Sequence, residues 1–188
     1  MRRDNNTPAV SIDYNIAQLL KQPMGAGRAR TINVPLRHDV RGLDPGLDPV
    51  DPLVATLKLV RTKSGVLLTL DGSTSLRVPC SRCLDPVVVP VTLKFEEEFL
   101  QTVDVATGFP LGPSEDDPSL LIDRHHDLHL ADIIREYLLM AVPMYSLCRE
   151  DCRGLCQICG HNLNQGPCGH SGRPSDDRWS SLKSLLDK

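Results

Sequence analysis

Seven cysteines and one histidine hold most of the chemistry open to this chain, and their spacing is that of metal ligation. Cys80 and Cys83 are separated by two residues, as are Cys156 and Cys159; Cys148 and Cys152 lie just upstream of the second pair, and Cys168-Gly169-His170 just downstream. A borderline-soft zinc ion takes four thiolate or imidazole ligands in a tetrahedron, and a Cys-x-x-Cys turn offers two of them from one tight loop. Seven thiols and His170 make eight ligands, the number that two such sites require. The chain-local partition gives Cys156, Cys159, Cys168 and His170 to one ion, and Cys80, Cys83, Cys148 and Cys152 to a second, so one or two zinc ions are expected. A single ribbon-like site of Cys80, Cys83, Cys156 and Cys159 is the other arrangement open.

Other chemistries fit less well. Cys80 and Cys83 taken alone could be half-buried thiols with no role, but five cysteines between residues 148 and 168 are hard to dismiss in that way. A thioredoxin-like oxidoreductase needs its pair at a helix N-terminus, where the dipole lowers a thiol pKa, and Cys80 and Cys83 lie between strand patterns instead. The odd, clustered count reads as metal binding in a reducing compartment. His125, His126 and His129 have no second ligand cluster beside them and read as solvated loop residues. Glu96 and Glu98 alternate on a strand as a solvated face. No nucleophile elbow, phosphate-cradling glycine loop or metalloprotease helix is present, so an enzyme is not expected.

The elements that must position these ligands follow from periodicity. Ile12, Ile16, Leu19 and Leu20 are helically spaced, predicting a short helix from Ile16 to about Gln22 capped by Asn15. The period then becomes two: Ile32, Val34, Leu36; Leu53, Ala55, Leu57, Leu59; Val66, Leu68, Leu70. Asp44 to Pro49 reads as a loop, and Asp71-Gly72 as a hairpin turn. A strand from Leu76 to Pro79 runs into Cys80-Ser81-Arg82-Cys83, and a long alternation from Val87 to Phe99 runs out, so the first pair sits at a hairpin tip. Thr107 to Pro118 reads as an acidic loop. A helix over residues 128–142, capped by Asp127, ends at Pro143. Residues 146–172 show no apolar period and need something other than a core to order them. A last helix carries Trp179, Leu182, Leu185 and Leu186. The fold class is α+β: an antiparallel β-meander or partly open barrel with flanking helices and a C-terminal zinc-knuckle segment. It divides into a body over 1–145 and a cysteine-rich segment with the terminal helix over 146–188.

With 188 residues, 40% hydrophobic and only 4% aromatic, the core must be aliphatic. A net charge of -3 excludes histone-like blanket binding of phosphates. The charge is uneven: residues 1–92 hold 12 basic and 8 acidic side chains, residues 93–148 hold 3 and 11, and residues 149–188 hold 6 and 5. A basic side and an acidic side are therefore possible on one molecule. No window approaches the roughly 18 consecutive apolar residues of a membrane span, and polar residues interrupt any export signal behind Met1-Arg2-Arg3. A cytoplasmic protein without membrane contact is expected.

The motifs Cys80-Ser81-Arg82-Cys83-Leu84, Glu96-Glu97-Glu98-Phe99, Cys148-Arg149-Glu150-Asp151-Cys152-Arg153-Gly154-Leu155-Cys156 and Cys159-Gly160-His161-Asn162-Leu163-Asn164 together resemble the bacterial and plastid YceD family of large ribosomal RNA subunit accumulation proteins. The resemblance runs from about Asn15 to Trp179. His170 stands where that family commonly has cysteine, and Gln157 where it commonly has proline. The resemblance implies a non-enzymatic role in 23S ribosomal RNA accumulation and ribosome biogenesis, with ribosomal RNA or a pre-ribosomal particle as partner and no small-molecule substrate. Arg82, Arg149 and Arg153, beside the cysteines, are the candidate RNA contacts, and the acidic segment could meet a basic ribosomal protein. From a different class, a thiol or zinc redox switch is the alternative.

Overall fold

The computed structural model describes residues 12–36, 48–111 and 117–170. In chain order these form strand β1 (Asp13–Asn15), helix α1 (Ala17–Leu20), β2 (Gly27–Val34), β3 (Asp48–Pro49), β4 (Leu53–Arg61), β5 (Gly65–Pro79), β6 (Pro86–Gln101), a 3-10 turn (Pro118–Leu120), β7 (Leu121–Ile122), β8 (Asp127–His129) and helix α2 (Ala131–Ala141). They fall into two compact units, one drawn from residues 12–78 and 88–144, the other from residues 79–87 and 145–170. The sequence division at residue 145 had kept 79–87 with the body. The structure groups this hairpin tip with the cysteine-rich segment, because the sulfurs of Cys80 and Cys83 meet those of Cys148 and Cys152.

Alternation builds the first unit. Leu53, Ala55, Leu57 and Leu59 of β4 are buried while Val54, Thr56 and Lys58 between them are exposed. On β6, Val91, Leu93, Phe95 and Phe99 turn inward. Each fully buried large side chain of this kind stabilises the fold by about 1.5–3 kcal/mol. The main sheet runs in the order β2-β4-β5-β6-β7, with β3 also pairing with β5. It is open, so among the described residues no barrel closes. The β2-β4 and β4-β5 pairs are antiparallel, but β7 lies parallel to β6, which departs from a pure meander.

Three local expectations change. Asp71-Gly72 is no turn: β5 runs straight through it, and Gly72 lies opposite Ala55 in the ladder. A Cβ at Gly72 would fall 2.4 Å from that of Ala55, so glycine serves close strand approach there. The turn falls earlier, where the Thr62 N–H donates to the Gly65 carbonyl. Asp48 and Pro49, read as loop, pair with Arg77 and Leu76; residues 44–47 lie outside the described residues. The helix expected over 128–142 begins only at Ala131, since Asp127 to His129 pair with β1 and bury Leu128 against the core instead. Helix α1 is likewise a single turn, shorter than expected, with Asn15 held in β1. The terminal helix around Trp179 lies outside the described residues, as does much of the acidic loop.

Polar groups taken for solvated ones are engaged. Glu98 accepts hydrogen bonds from the Ser64 and Thr62 hydroxyls, which hold its carboxyl below the usual range. Tyr137 donates to Glu97, which pushes the phenol up to about 12, and its ring stacks on Phe95 at 4.2 Å. His129 joins β8 to its surroundings: Nδ1 lies 2.8 Å from Asp13 and Nε2 3.4 Å from Asp123. The hydrogen bond to Asp13 raises its pKa. No helix among the described residues is long and apolar enough to cross a membrane.

Candidate metal centre

Both Cys-x-x-Cys turns close with the same two backbone hydrogen bonds. In the first, the Leu84 N–H donates to the Cys80 carbonyl (3.0 Å) and the Cys80 N–H to that of Asp85 (2.8 Å). In the second, Gly160 N–H donates to Cys156 carbonyl (2.8 Å) and Cys156 N–H to that of His161 (2.8 Å). The geometry puts the residue after the second cysteine in the left-handed region, at φ 63° for Leu84 and 72° for Gly160. Glycine occupies that region freely, whereas a leucine there costs roughly 1–2 kcal/mol. Leu84 is nonetheless 63% exposed, so burial of its side chain does not offset that cost.

These turns aim amide hydrogens at the leading sulfur. The N–H groups of Arg82 and Cys148 each lie 3.5 Å from Cys80 Sγ. Backbone donation from Cys83, with that from Arg82 and Cys148 added, lowers the Cys80 thiol to about 6 against the opposing effect of its burial. Cys156 is lowered to about 6 by the amides of Cys159 and Ile158. Cys152 is also lowered, chiefly by the side-chain amide of Asn164, whose Nδ2 donates to its sulfur at 3.3 Å. Burial pushes the Cys83 and Cys148 thiols up. A thiolate is the form that ligates metal, so each group contains at least one sulfur already biased towards it.

Two groups of ligand atoms assemble among the described residues: Cys80, Cys83, Cys148 and Cys152, and Cys156, Cys159, Cys168 and His170. Within each, all ligand atoms lie within 4.8 Å of one another. Cys80 and Cys152 sulfurs are 3.9 Å apart, and those of Cys83 and Cys148 3.6 Å. A tetrahedron with metal–sulfur spokes of about 2.3 Å has edges of about 3.8 Å, so these residues fit zinc. They do not fit disulfides, whose sulfurs sit about 2.05 Å apart. The ribbon-like combination of Cys80, Cys83, Cys156 and Cys159 does not form. The two groups differ in degree of cover: in the first Cys80, Cys83 and Cys152 are buried and Cys148 is exposed, whereas in the second Cys156 is buried, Cys168 half-buried, and Cys159 and His170 exposed. Zinc held by four protein ligands would act as a rigid cross-link with no open position for substrate.

The three arginines proposed as RNA contacts are placed unequally. Arg82 is built into the turn: Nε donates to the Tyr145 hydroxyl (2.8 Å) and Nη1 to the Cys152 carbonyl (2.9 Å). Arg149 pairs with Asp151 at 3.5 Å, and Arg153 is exposed. Sequence reasoning missed another basic site, in the first unit. Arg28 and Arg30 of β2 line a cavity of about 240 Å³ floored by Ile16, Leu19 and Leu59. The Arg30 guanidinium lies 5.5 Å from the centre of the Tyr14 ring there. The signal was the two-residue spacing of the arginines ahead of Ile32, which puts all three on one face of the strand.

The class these features define is a sheet protein with a second, cysteine-rich unit whose thiols could hold metal. Residues 68–186, more than half of the chain, match the family described as "Large ribosomal RNA subunit accumulation protein YceD", and the chain belongs to that family. An uncharacterised protein of Mycobacterium tuberculosis is 32% identical over 130 residues, covering 69% of this chain and 60% of its own length. The chloroplastic large ribosomal RNA subunit accumulation protein YCED homolog 1 of Arabidopsis thaliana is 25% identical over 193 residues, covering 88% of this chain and 60% of its own. Its maize namesake is 24% identical over 143 residues, covering 63% and 48%. The chain thus spans about 60% or less of the length of these relatives. No solved structure matches it.

Proposed function

We propose that this protein is a non-catalytic, zinc-stabilised factor for large-subunit ribosomal RNA accumulation, working in the cytoplasm on a pre-ribosomal particle. The observation that carries the reading is the family match over residues 68–186, a span that contains all eight ligands. Two complete sets of four ligands favour a structural role for zinc over a catalytic one, because catalytic sites keep a position open for water or substrate. With a net charge of -3 the chain is repelled from naked RNA at long range, so useful affinity needs the composite surface of a particle, with the acidic segment against a basic ribosomal protein. Deleting the protein lowers large-subunit RNA relative to small-subunit RNA; an unchanged ratio refutes the assignment.

The redox-switch reading is favoured by one observation, the exposure of Cys159 beside a half-exposed Cys168. It requires low peroxide to release metal quickly and a thiol reductant to restore it. Slow release leaves the structural reading in place.

A further inference from the structure

We infer that the two ligand groups load metal as one coupled unit, with Asn162 and Asn164 as the positioning residues that couple them; this rests on the metal-binding reading above. The short segment from His161 to Asn164 belongs to both groups at once. On one side it closes the second knuckle, since the His161 carbonyl accepts the Cys156 N–H and Asn162 bridges to Leu155. On the other side it reaches the first group twice. Asn162 Nδ2 donates to Asp85 Oδ2 at 2.8 Å, and the same carboxylate oxygen lies 3.4 Å from Cys83 Sγ as its acceptor. Asn164 Nδ2 donates to Cys152 Sγ at 3.3 Å.

Neither amide is free to turn away. Asn164 Oδ1 accepts the Arg153 N–H at 2.9 Å, which leaves its Nδ2 pointing at sulfur, and the Asn164 N–H in turn donates to Asn162 Oδ1 at 3.0 Å. The Leu163 N–H, between them, donates to the Gly154 carbonyl at 2.9 Å. Residues 156–170 contribute one buried side chain, Cys156, and it is itself a ligand, so their order depends on the second group being filled. Emptying that group releases His161 to Asn164, and the first group then loses the donor to Cys152. Asp85 loses the amide that offsets its negative charge beside Cys83, whose sulfur has no proton to donate once it holds metal. Groups that hydrogen-bond to ligands commonly change metal affinity by about 10- to 100-fold. Because coupling between binding sites is reciprocal, filling the first group must strengthen the second by the same factor.

Cobalt(II) titration of the 188-residue chain tests this, since a four-sulfur site and a three-sulfur, one-nitrogen site absorb differently in the visible and can be followed separately. Cys168→Ser with His170→Ala empties the second group, and cobalt affinity at Cys80, Cys83, Cys148 and Cys152 then falls about 10- to 100-fold. Asn162→Ala with Asn164→Ala gives a similar fall, and in that background emptying the second group has little further effect. Asn164→Asp, which keeps the acceptor for Arg153 but sets a carboxylate against the Cys152 sulfur, weakens the four-sulfur band more than the other; circular dichroism checks that the sheet persists. First-group affinity unchanged within twofold on emptying the second, or losses that simply multiply, overturns the coupling while leaving metal binding intact. No cobalt bound by either group overturns the coupling and the metal-binding reading together.

Discussion

The sheet body and the cysteine unit are ordered by different physics within one chain. In the body, leucines, isoleucines and phenylalanines on β4, β5, β6 and α2 pack into a single, largely aliphatic cluster. In the cysteine unit the buried cluster is Cys80, Cys83 and Cys152, with Val87, Leu147 and Leu155 partly covered beside them. An aliphatic core spreads its stabilisation over many small contacts and weakens in steps. A ligand set concentrates it in a few bonds and fails at once. On the proposed metal-bound reading, the contrast would account for how residues with no apolar period hold a defined conformation.

The largest effect that separates the two regions comes from removing metal. Chelation, or Cys80→Ser with Cys152→Ser, opens residues 145–170 to trypsin at Arg149 and Arg153 while the far-ultraviolet signal of the sheet persists; structural zinc is worth about 10–16 kcal/mol to such segments. Loss of the sheet signal together with the cysteine unit would break the comparison. Next in size is the reverse experiment. Phe99 is fully buried, and Phe99→Ala costs the body about 3–5 kcal/mol in chemical unfolding with metal content unchanged.

A smaller effect asks which region would contact RNA under the proposed function. Arg28→Ala with Arg30→Ala should weaken binding to pre-ribosomal particles and flatten the salt dependence by about one unit per lost phosphate contact. Arg149→Ala, which removes a side chain already paired with Asp151, should do little. The opposite ranking moves the contact surface to the cysteine unit. The smallest effect is a pH dependence of the body. His129 has a raised pKa in the folded state, so its contribution is complete below its unfolded value of about 6.5 and is lost as pH rises through the folded value. The pair is largely exposed, which limits the gain to about 0.2–1 kcal/mol. Denaturant midpoints at pH 5.5 and 8.5 measure it, and Asp13→Asn should reduce it to the smaller share that Asp123 contributes.

Much of this was legible in the residues. Period-two apolar residues located β4 to β6, and the Cys-x-x-Cys spacings marked ligand pairs, because both signals are local and repetitive. The long-range grouping of Cys80 and Cys83 with Cys148 and Cys152 came only from counting eight ligands for two sites. What escaped depended on partners distant in sequence. Gly72 reads as a turn residue until Ala55 is seen opposite it, and Leu128 reads as helical until Tyr14 pairs with it. Asn162 and Asn164 looked like ordinary loop residues, since nothing in their spacing reveals that they reach Asp85 and Cys152. Arg82 looked like a free cation because Tyr145 lies 63 residues away.

The hairpin tip also sets an order of events during synthesis. Cys80 and Cys83 leave the ribosome well before their partners, since Cys148 follows Cys83 by 65 residues. Strands β4, β5 and β6 can pair in that interval, so the growing chain carries two bare thiols on a finished hairpin until the last quarter of the sequence emerges. A chain cut short between Val142 and Cys148 would keep its sheet strands and lack two of the four side chains of the first ligand group. The first ligand group therefore cannot be completed until Cys152 has emerged.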